Sequence, residues 1–504
     1  MKRNIINRTK KAIILFGIVC LISCGEDFLN PDVTEYATKD QIDEMIESGG
    51  GESVVALLES TMLGAYNATV YYQGRHDAFS EMSTRLSGDM MTEDIAMNYS
   101  SFFSFDYQID NNASSYARPI NTWSYLYSVV GKCNEVIEKV EITEKEKLDA
   151  RTKSVLGQAL SLRAYAFFTL VQRFQKTYKG NEEAPGIPLS LTTKDTQPSV
   201  KGRGTTAAVY AKILEDMKEA IDLLEGAKRA SKMEIDQQVA AGLYARMLMV
   251  VEDWEQAAFF ANMAKEGYTL MTADEFVADG FNNIGNKEWM WGFDITGETA
   301  SGFASFLSHI CSYDVGYGES TFAPKMIDAR LYGMMNVSDA RRKQFKDPTS
   351  PVDPSSSVVE QNAPSYCNFK FKKVEGWLAD YVYMRVAEMY LIEAEALAHQ
   401  NKGKEAFNVL KLLMDNRDVN WASGRTTVSV EDVFLQKRLE LWGEGHIFYD
   451  YLRLKKGVDR SYTGSNHLEK RIVPAGSWKF IYQLPQGEID NNDNLSESDQ
   501  NPVS

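Results

Sequence analysis

The five histidines, His76, His309, His399, His446 and His467, are scattered singly through the 504 residues, and none stands in H-E-x-x-H or another metal-ligand spacing. No G-x-S-x-G occurs, and no cysteine is paired with a base in a catalytic motif, so no nucleophile is marked. Carboxylates are abundant, and a glycosidase pair can be assembled from distant positions, so that reaction stays open. The stretch 490–494 imitates the start of a calcium loop but lacks its glycine and closing glutamate. Gly202-Arg203-Gly204-Thr205 lacks the Lys-Ser/Thr of a phosphate loop, so Thr205 or Thr206 reads as a helix cap. No catalysis, metal or cofactor is expected. Cys133, Cys311 and Cys367 show no C-x-x-C spacing and read as small buried residues.

At 44% apolar and 25% charged the chain can bury a large core. Its formal charge of −16 falls to −21 if the first 23 residues, with five basic side chains, are removed. So acidic a body repels phosphate backbones, and nucleic acid is not an expected partner. Residues 1–23 read as a signal: a basic start, then an apolar run at 12–22 too short to span a membrane. Leu21-Ile22-Ser23-Cys24 resembles a bacterial lipobox, which makes Cys24 the lipidated first residue of the mature protein.

The elements that must position any site are helices. In 383–417 apolar residues recur with helical spacing, Asn401 and Gly403 interrupt, and a second amphipathic helix follows. This is a hairpin of the tetratricopeptide (TPR) kind. A second hairpin lies at 237–268 with its turn at Glu252-Asp253, further helices at 123–140, 155–174 and 206–224, and a last helix near 431–455. Between them 67–110 and 269–380 are aromatic-rich and weakly periodic, apart from a strand-like alternation at 288–293. The expected fold is mainly α: TPR-like hairpins at about 155–268 and 381–455 forming a curved scaffold, with the two insertions forming a loop-rich part.

The run Arg385-Val386-Ala387-Glu388, continuing through Leu391, Ala394, Glu395 and Ala396, resembles the signature of the SusD/RagB family of surface nutrient-binding lipoproteins of Bacteroidota. Further similarities support it: Trp123, Tyr127, Val130, Asn134 and Ile137; Ala159, Leu162, Arg163, Ala164, Phe167, Phe168 and Leu170; and Arg438, Glu440, Leu441, Glu444, Gly445, Asp450 and Arg453. Ile447 stands where the family carries Arg, so one expected buried ion pair is missing. Glu26-Asp27 after Cys24 looks like the family's surface-export signal. The resemblance implies one SusD-like domain over 24–504, lipid-anchored on the outer face of the outer membrane. It also implies capture of oligosaccharide and delivery to a SusC-like TonB-dependent transporter. Peptide capture, a surface glycosidase and a TPR adaptor are the alternatives.

Sugar rings lay apolar C–H faces on aromatic rings while polar side chains bond their hydroxyls. The aromatic residues available in the irregular stretches are Tyr71, Tyr72, Tyr99, Phe102, Trp289, Trp291, Tyr313, Tyr317 and Trp377. The expected ligand site is a shallow patch built by 67–110 and 281–320. Tyr72, Tyr99, Tyr313 and Tyr317 come first, with Trp289 and Arg85 next.

Overall fold

The computed structural model describes residues 51–140, 148–195, 201–313, 315–349 and 357–502. The signal, the lipobox and Cys24 lie outside them. By its contacts the chain divides into 1–57, whose described residues 51–57 begin the first helix, and 58–504, to which everything below refers.

The protein is mainly helical with TPR-like architecture. Its longer helices are α1 (Gly51–Ala68), α2 (Glu81–Met91), α3 (Ala117–Val140), α4 (Ala150–Phe174) and α5 (Thr206–Leu223). They continue as α6 (Gln237–Val251), α7 (Trp254–Ala264), α8 (Val386–His399), α9 (Gly403–Met414), α10 (Val430–Glu440) and α11 (Ile447–Arg453). From α3 to α9 each helix packs on the next, and α7 packs directly on α8 although the long insertion separates them in sequence. The insertion is looped out of a continuous stack of antiparallel neighbours.

Local chemistry sets the ends. Asp149 caps α4 by accepting from the Arg151 and Thr152 amides, and Thr205 caps α5 through the Ala208 amide at 3.1 Å. Glu252 takes the left-handed conformation that closes α6, and Asp253 caps α7 at once, so the hairpin turn is two residues long. Asn401 at φ 61° separates α8 from α9. Helix α4 is long and apolar enough to cross a membrane, but nearly all of it from Val155 to Phe174 is buried between α3 and α5.

Two expectations need correction. The 383–417 helix begins later, at Val386, because Tyr381–Arg385 is a strand. The short strands are β1 (Ile95–Ala96), β2 (Trp289–Phe293), β3 (Met326–Ile327), β4 (Tyr381–Arg385), β5 (Val458–Asp459) and β6 (Ile472–Val473). They form three antiparallel two-stranded pairs, β1–β3, β2–β4 and β5–β6. The helix foreseen near 431–455 is split into α10 and α11 by a turn in which Gly443 and Gly445 have φ of 75° and 82°. A side chain at Gly445 would also stand 2.1 Å from Arg85 Cβ, so the turn lets α2 approach the backbone.

The charges of the signature motifs lie in the core. Arg385 pairs with Glu288 (2.6 Å), Glu440 (3.2 Å) and Glu444 (2.7 Å), and Arg417 with Glu288 (2.8 Å) and Glu440 (3.0 Å). Glu395 binds Lys437 and Arg453, each at 2.6 Å, Glu388 binds Arg246, and Arg438 binds Asp94. Burial pushes the Glu440 carboxyl up, but the Arg417 and Arg385 guanidiniums hold it well below the usual carboxylate range. These groups fix how α8, α10 and β4 meet.

Candidate functional site

The six residues singled out for ligand contact separate into five environments. Arg85, on α2, is buried: it pairs with Glu81 at 2.6 Å, donates to the Tyr165 hydroxyl at 2.9 Å and lies over the Tyr383 ring. Trp289 is fully buried, because β2 is covered on both faces, and its neighbour Trp291 donates to the Met233 carbonyl at 3.0 Å. Both Arg85 and Trp289 therefore belong to the core and not to a solvent-facing patch. Tyr313 is half-buried against Phe369, within two minor hydrophobic clusters, and its hydroxyl donates to Glu360 at 3.1 Å. Burial, and then the Glu360 charge, push its phenol pKa up. Its ring is committed to packing.

Tyr317 is different. Its ring is the hub of an open aromatic cluster, 4.6 Å from Phe102, 5.3 Å from Phe303 and 5.7 Å from His76 between centroids. Phe303 reaches Trp377 at 5.2 Å, and Phe102 stacks on His76 at 5.7 Å. Phe102 and Phe303 are each 40% exposed. Four segments far apart in the chain thus supply one surface: the loop before α2, the loop after β1, the stretch around the short helix Phe306–Ile310, and the turn Glu375–Trp377.

This cluster has a built base. His309, fully buried on the short helix, stacks beneath Tyr317 (4.8 Å, 18°) and on Phe79 (5.7 Å, 20°). Its Nε2–H donates to the His76 carbonyl at 2.7 Å, and His76 Nδ1 shares a 2.6 Å hydrogen bond with the Tyr317 hydroxyl. Burial first, and then the positive charge of Lys325, hold the His309 pKa well below the ordinary value, so the imidazole is neutral at pH 7. The Gly-Tyr-Gly around Tyr317 is needed for space: a Cβ at Gly316 would meet the Ser308 carbonyl at 2.8 Å, and one at Gly318 the His309 carbonyl at 2.6 Å. With the Gly318 amide donating to the Ser308 carbonyl at 2.7 Å, the loop lies flat on the short helix and holds the Tyr317 ring in place.

Tyr72 is 38% exposed and Tyr71 68%, and they border a hollow of about 810 Å³ beside α1 and α3. Tyr72 lies close enough to help raise the Tyr317 phenol pKa, after burial. Tyr99, 55% exposed, forms a separate pair with Phe322 at 5.3 Å. Phe303 and His76 are not among the aromatic residues singled out above: both lie in stretches with other rings nearby, Phe306 beside Phe303 and Tyr71, Tyr72 and Phe79 around His76, and nothing in the pattern tells which ring is exposed. Among the described residues no group of three or more His, Cys, Asp and Glu is placed to hold a metal.

Residues 41–249 match a family profile described as starch-binding associating with outer membrane, and residues 356–503 match that of the SusD family. SusD-like protein P2 of Formosa agariphila is 22% identical over 412 residues, which cover 74% of this chain and 78% of that protein. Among solved structures, a SusD-like carbohydrate binding protein from Bacteroides vulgatus superposes with a TM-score of 0.76 at 25% identity, covering 89% of this chain and 98% of that one. Surface glycan-binding protein A from Bacteroides uniformis shares the fold, with a TM-score of 0.66 at 17% identity over 88% of this chain and 99% of its own. The profile matched at 356–503 spans the ion-paired segments that lock α8, α10 and β4 together, and the profile at 41–249 spans most of the helical stack before the insertion. Each half of the scaffold matches a SusD-type profile, and the chain belongs to the SusD/RagB family.

Proposed function

We propose that the protein binds oligosaccharide at the outer surface of the outer membrane and hands it to a SusC-like TonB-dependent transporter, without catalysis. The observation that carries this reading is the open aromatic surface around Tyr317, seated on a rigid base and formed by the insertions rather than the helical stack. Several rings lying over a few hydrogen-bonding groups match the two-sided chemistry of a sugar, apolar on its faces and polar at its rim. Within this reading Tyr317, Phe102, Phe303 and Trp377 form the platform, Tyr72 flanks it, and Tyr99 with Phe322 makes a satellite. The segments 67–110 and 269–380 are then the ligand-binding part. The names of the structural relatives, one a carbohydrate binding protein and one a surface glycan-binding protein, support the same cargo. The outer-membrane wording of the matched profile supports the location. In the proposed assembly Cys24 supplies the anchor and the TPR-like face contacts the transporter.

The test is a combined glycan and peptide array probed with the wild type and with Tyr317→Ala. Binding to glycans, lowered about tenfold per lost ring, supports the reading. Binding to peptides alone transfers the platform to the alternative cargo, and release of reducing sugar from a bound glycan makes the protein an enzyme. Gentle solubilisation of membranes should recover the chain with a barrel transporter; recovery only as a free protein counts against delivery.

A further inference from the structure

Phe102 is shared between the aromatic platform and a second hollow. On one side this ring meets His76 and Tyr317; on the other it lines a separate hollow of about 580 Å³, together with Phe105, Tyr116, Arg75, Asn111 and Asn121. That volume lies within the range of roughly 300–1,000 Å³ found for small-molecule sites. Phe105 is 60% exposed and Tyr116 44%. Single exposed aromatic residues are ordinary, but three rings around one polar hollow are not a scatter.

The hollow is held rigidly from below. Arg118, buried, donates to Asp106 at 2.9 Å and to the Asp77 carbonyl at 2.7 Å. Asp106 also accepts from the Asn111 side-chain amide at 3.0 Å, which leaves the Asn111 carbonyl oxygen for a hydroxyl donor. Arg75 spends its Nε on Asp77 at 3.1 Å, while its side chain stays half-exposed at the rim with its two terminal nitrogens to donate. The charges cancel, Arg75 and Arg118 against Asp77 and Asp106, so the hollow offers hydrogen bonds without a net field in an otherwise strongly acidic protein.

We infer that this hollow is a second carbohydrate subsite, continuous with the Tyr317 platform across Phe102 and suited to neutral pyranose units of the same chain. The inference rests on the carbohydrate reading above and adds to it that the preferred cargo is an oligomer long enough to span both sides of Phe102, not a mono- or disaccharide. Phe105 and Tyr116 supply faces for further rings, and Arg75, Asn111 and Asn121 bond their hydroxyls.

The experiment measures binding of the full chain to neutral malto-, laminari- and xylo-oligosaccharides, each from disaccharide to hexasaccharide, by titration calorimetry. The wild type should bind the hexasaccharide of at least one series about tenfold or more tighter than the disaccharide, one further stacked ring being worth that much. The double variant Phe105→Ala/Tyr116→Ala should flatten this length dependence and leave disaccharide binding unchanged. Tyr317→Ala should weaken both. Arg75→Ala serves as a second probe that removes no ring, and it should lower hexasaccharide affinity alone. If both groove variants keep the wild-type slope, the second subsite is refuted while the platform stands. If Tyr317→Ala changes nothing, or no series binds the wild type, the platform falls and the subsite with it.

Discussion

Glu440→Gln should be among the most costly single changes in the protein. Glu440 lies where Arg385 and Arg417 converge, at 3.2 and 3.0 Å, with Arg341 at 3.7 Å. The surrounding group holds Arg341, Lys370, Arg385 and Arg417 against Glu288, Asp339, Glu440 and Glu444, four charges of each sign, all buried. Glutamine keeps the shape but removes one negative charge, leaving a buried positive charge uncompensated. Breaking a buried pair in this way costs about 3–5 kcal/mol, a large fraction of the roughly 5–15 kcal/mol that holds a protein folded. Urea denaturation followed by circular dichroism should show a lower midpoint at unchanged slope. The pH dependence gives a second check. Because the folded-state pKa of Glu440 is depressed, its contribution is fully present above its unfolded pKa and is lost as pH falls through the lower folded value. The penalty of Glu440→Gln should be complete at neutral pH and shrink on acidification below about 4. A cost under about 1 kcal/mol at neutral pH, or a penalty that grows in acid, would refute the view that this network locks the scaffold.

Asp89 gives the opposite sign. It accepts from the Gly445 amide at 2.8 Å, no ion pair among the described residues reaches it, and burial pushes its pKa up to about 7. Its stabilising protonated form is lost as pH rises through that value, so Asp89→Asn should gain on the wild type by about 1–3 kcal/mol between pH 5 and pH 8. Thermal unfolding at the two pH values reads this, and a difference that falls contradicts it. Tyr313→Ala should destabilise by about 1–3 kcal/mol and spare glycan binding, whereas Tyr317→Ala should do the reverse; calorimetry on both variants separates the roles. Gly318→Ala should displace the loop under Tyr317 and weaken binding although it touches no ligand, and intact affinity would show that the loop can yield. Cys24→Ala should abolish surface labelling of intact cells, and labelling at the wild-type level would remove the anchor.

The periodic part of this protein was legible in its sequence. The hairpin at 237–268 turns at Glu252-Asp253, Asn401 separates α8 from α9, and Thr205 caps α5, because helix spacing and capping depend on residues three or four positions apart. The start of α8 was misplaced for a tertiary reason: Tyr381–Arg385 fits a helical pattern equally well but is held extended by β2.

For the site, the sequence identified the segments but not the side chains. Tyr317 and Phe102 come from the stretches expected to form it, while Trp289 and Arg85, drawn from the same stretches, lie in the core. Aromatic content in an irregular loop says nothing about which rings are covered. Trp289 is buried because both faces of β2 are covered, and Arg85 because the Gly445 turn presses on α2. His76, Phe303 and Phe105 lie within the marked segments but nothing local separates them from their neighbours, and Tyr116 lies outside those segments. His76 and Phe303 acquire a role only when distant segments meet around the short helix that holds His309, and Phe105 and Tyr116 only where the neighbouring hollow forms. Periodicity is a property of near neighbours in the chain and can be read from it. Exposure is decided by what the rest of the chain places over a residue, and here that was settled only in the folded protein.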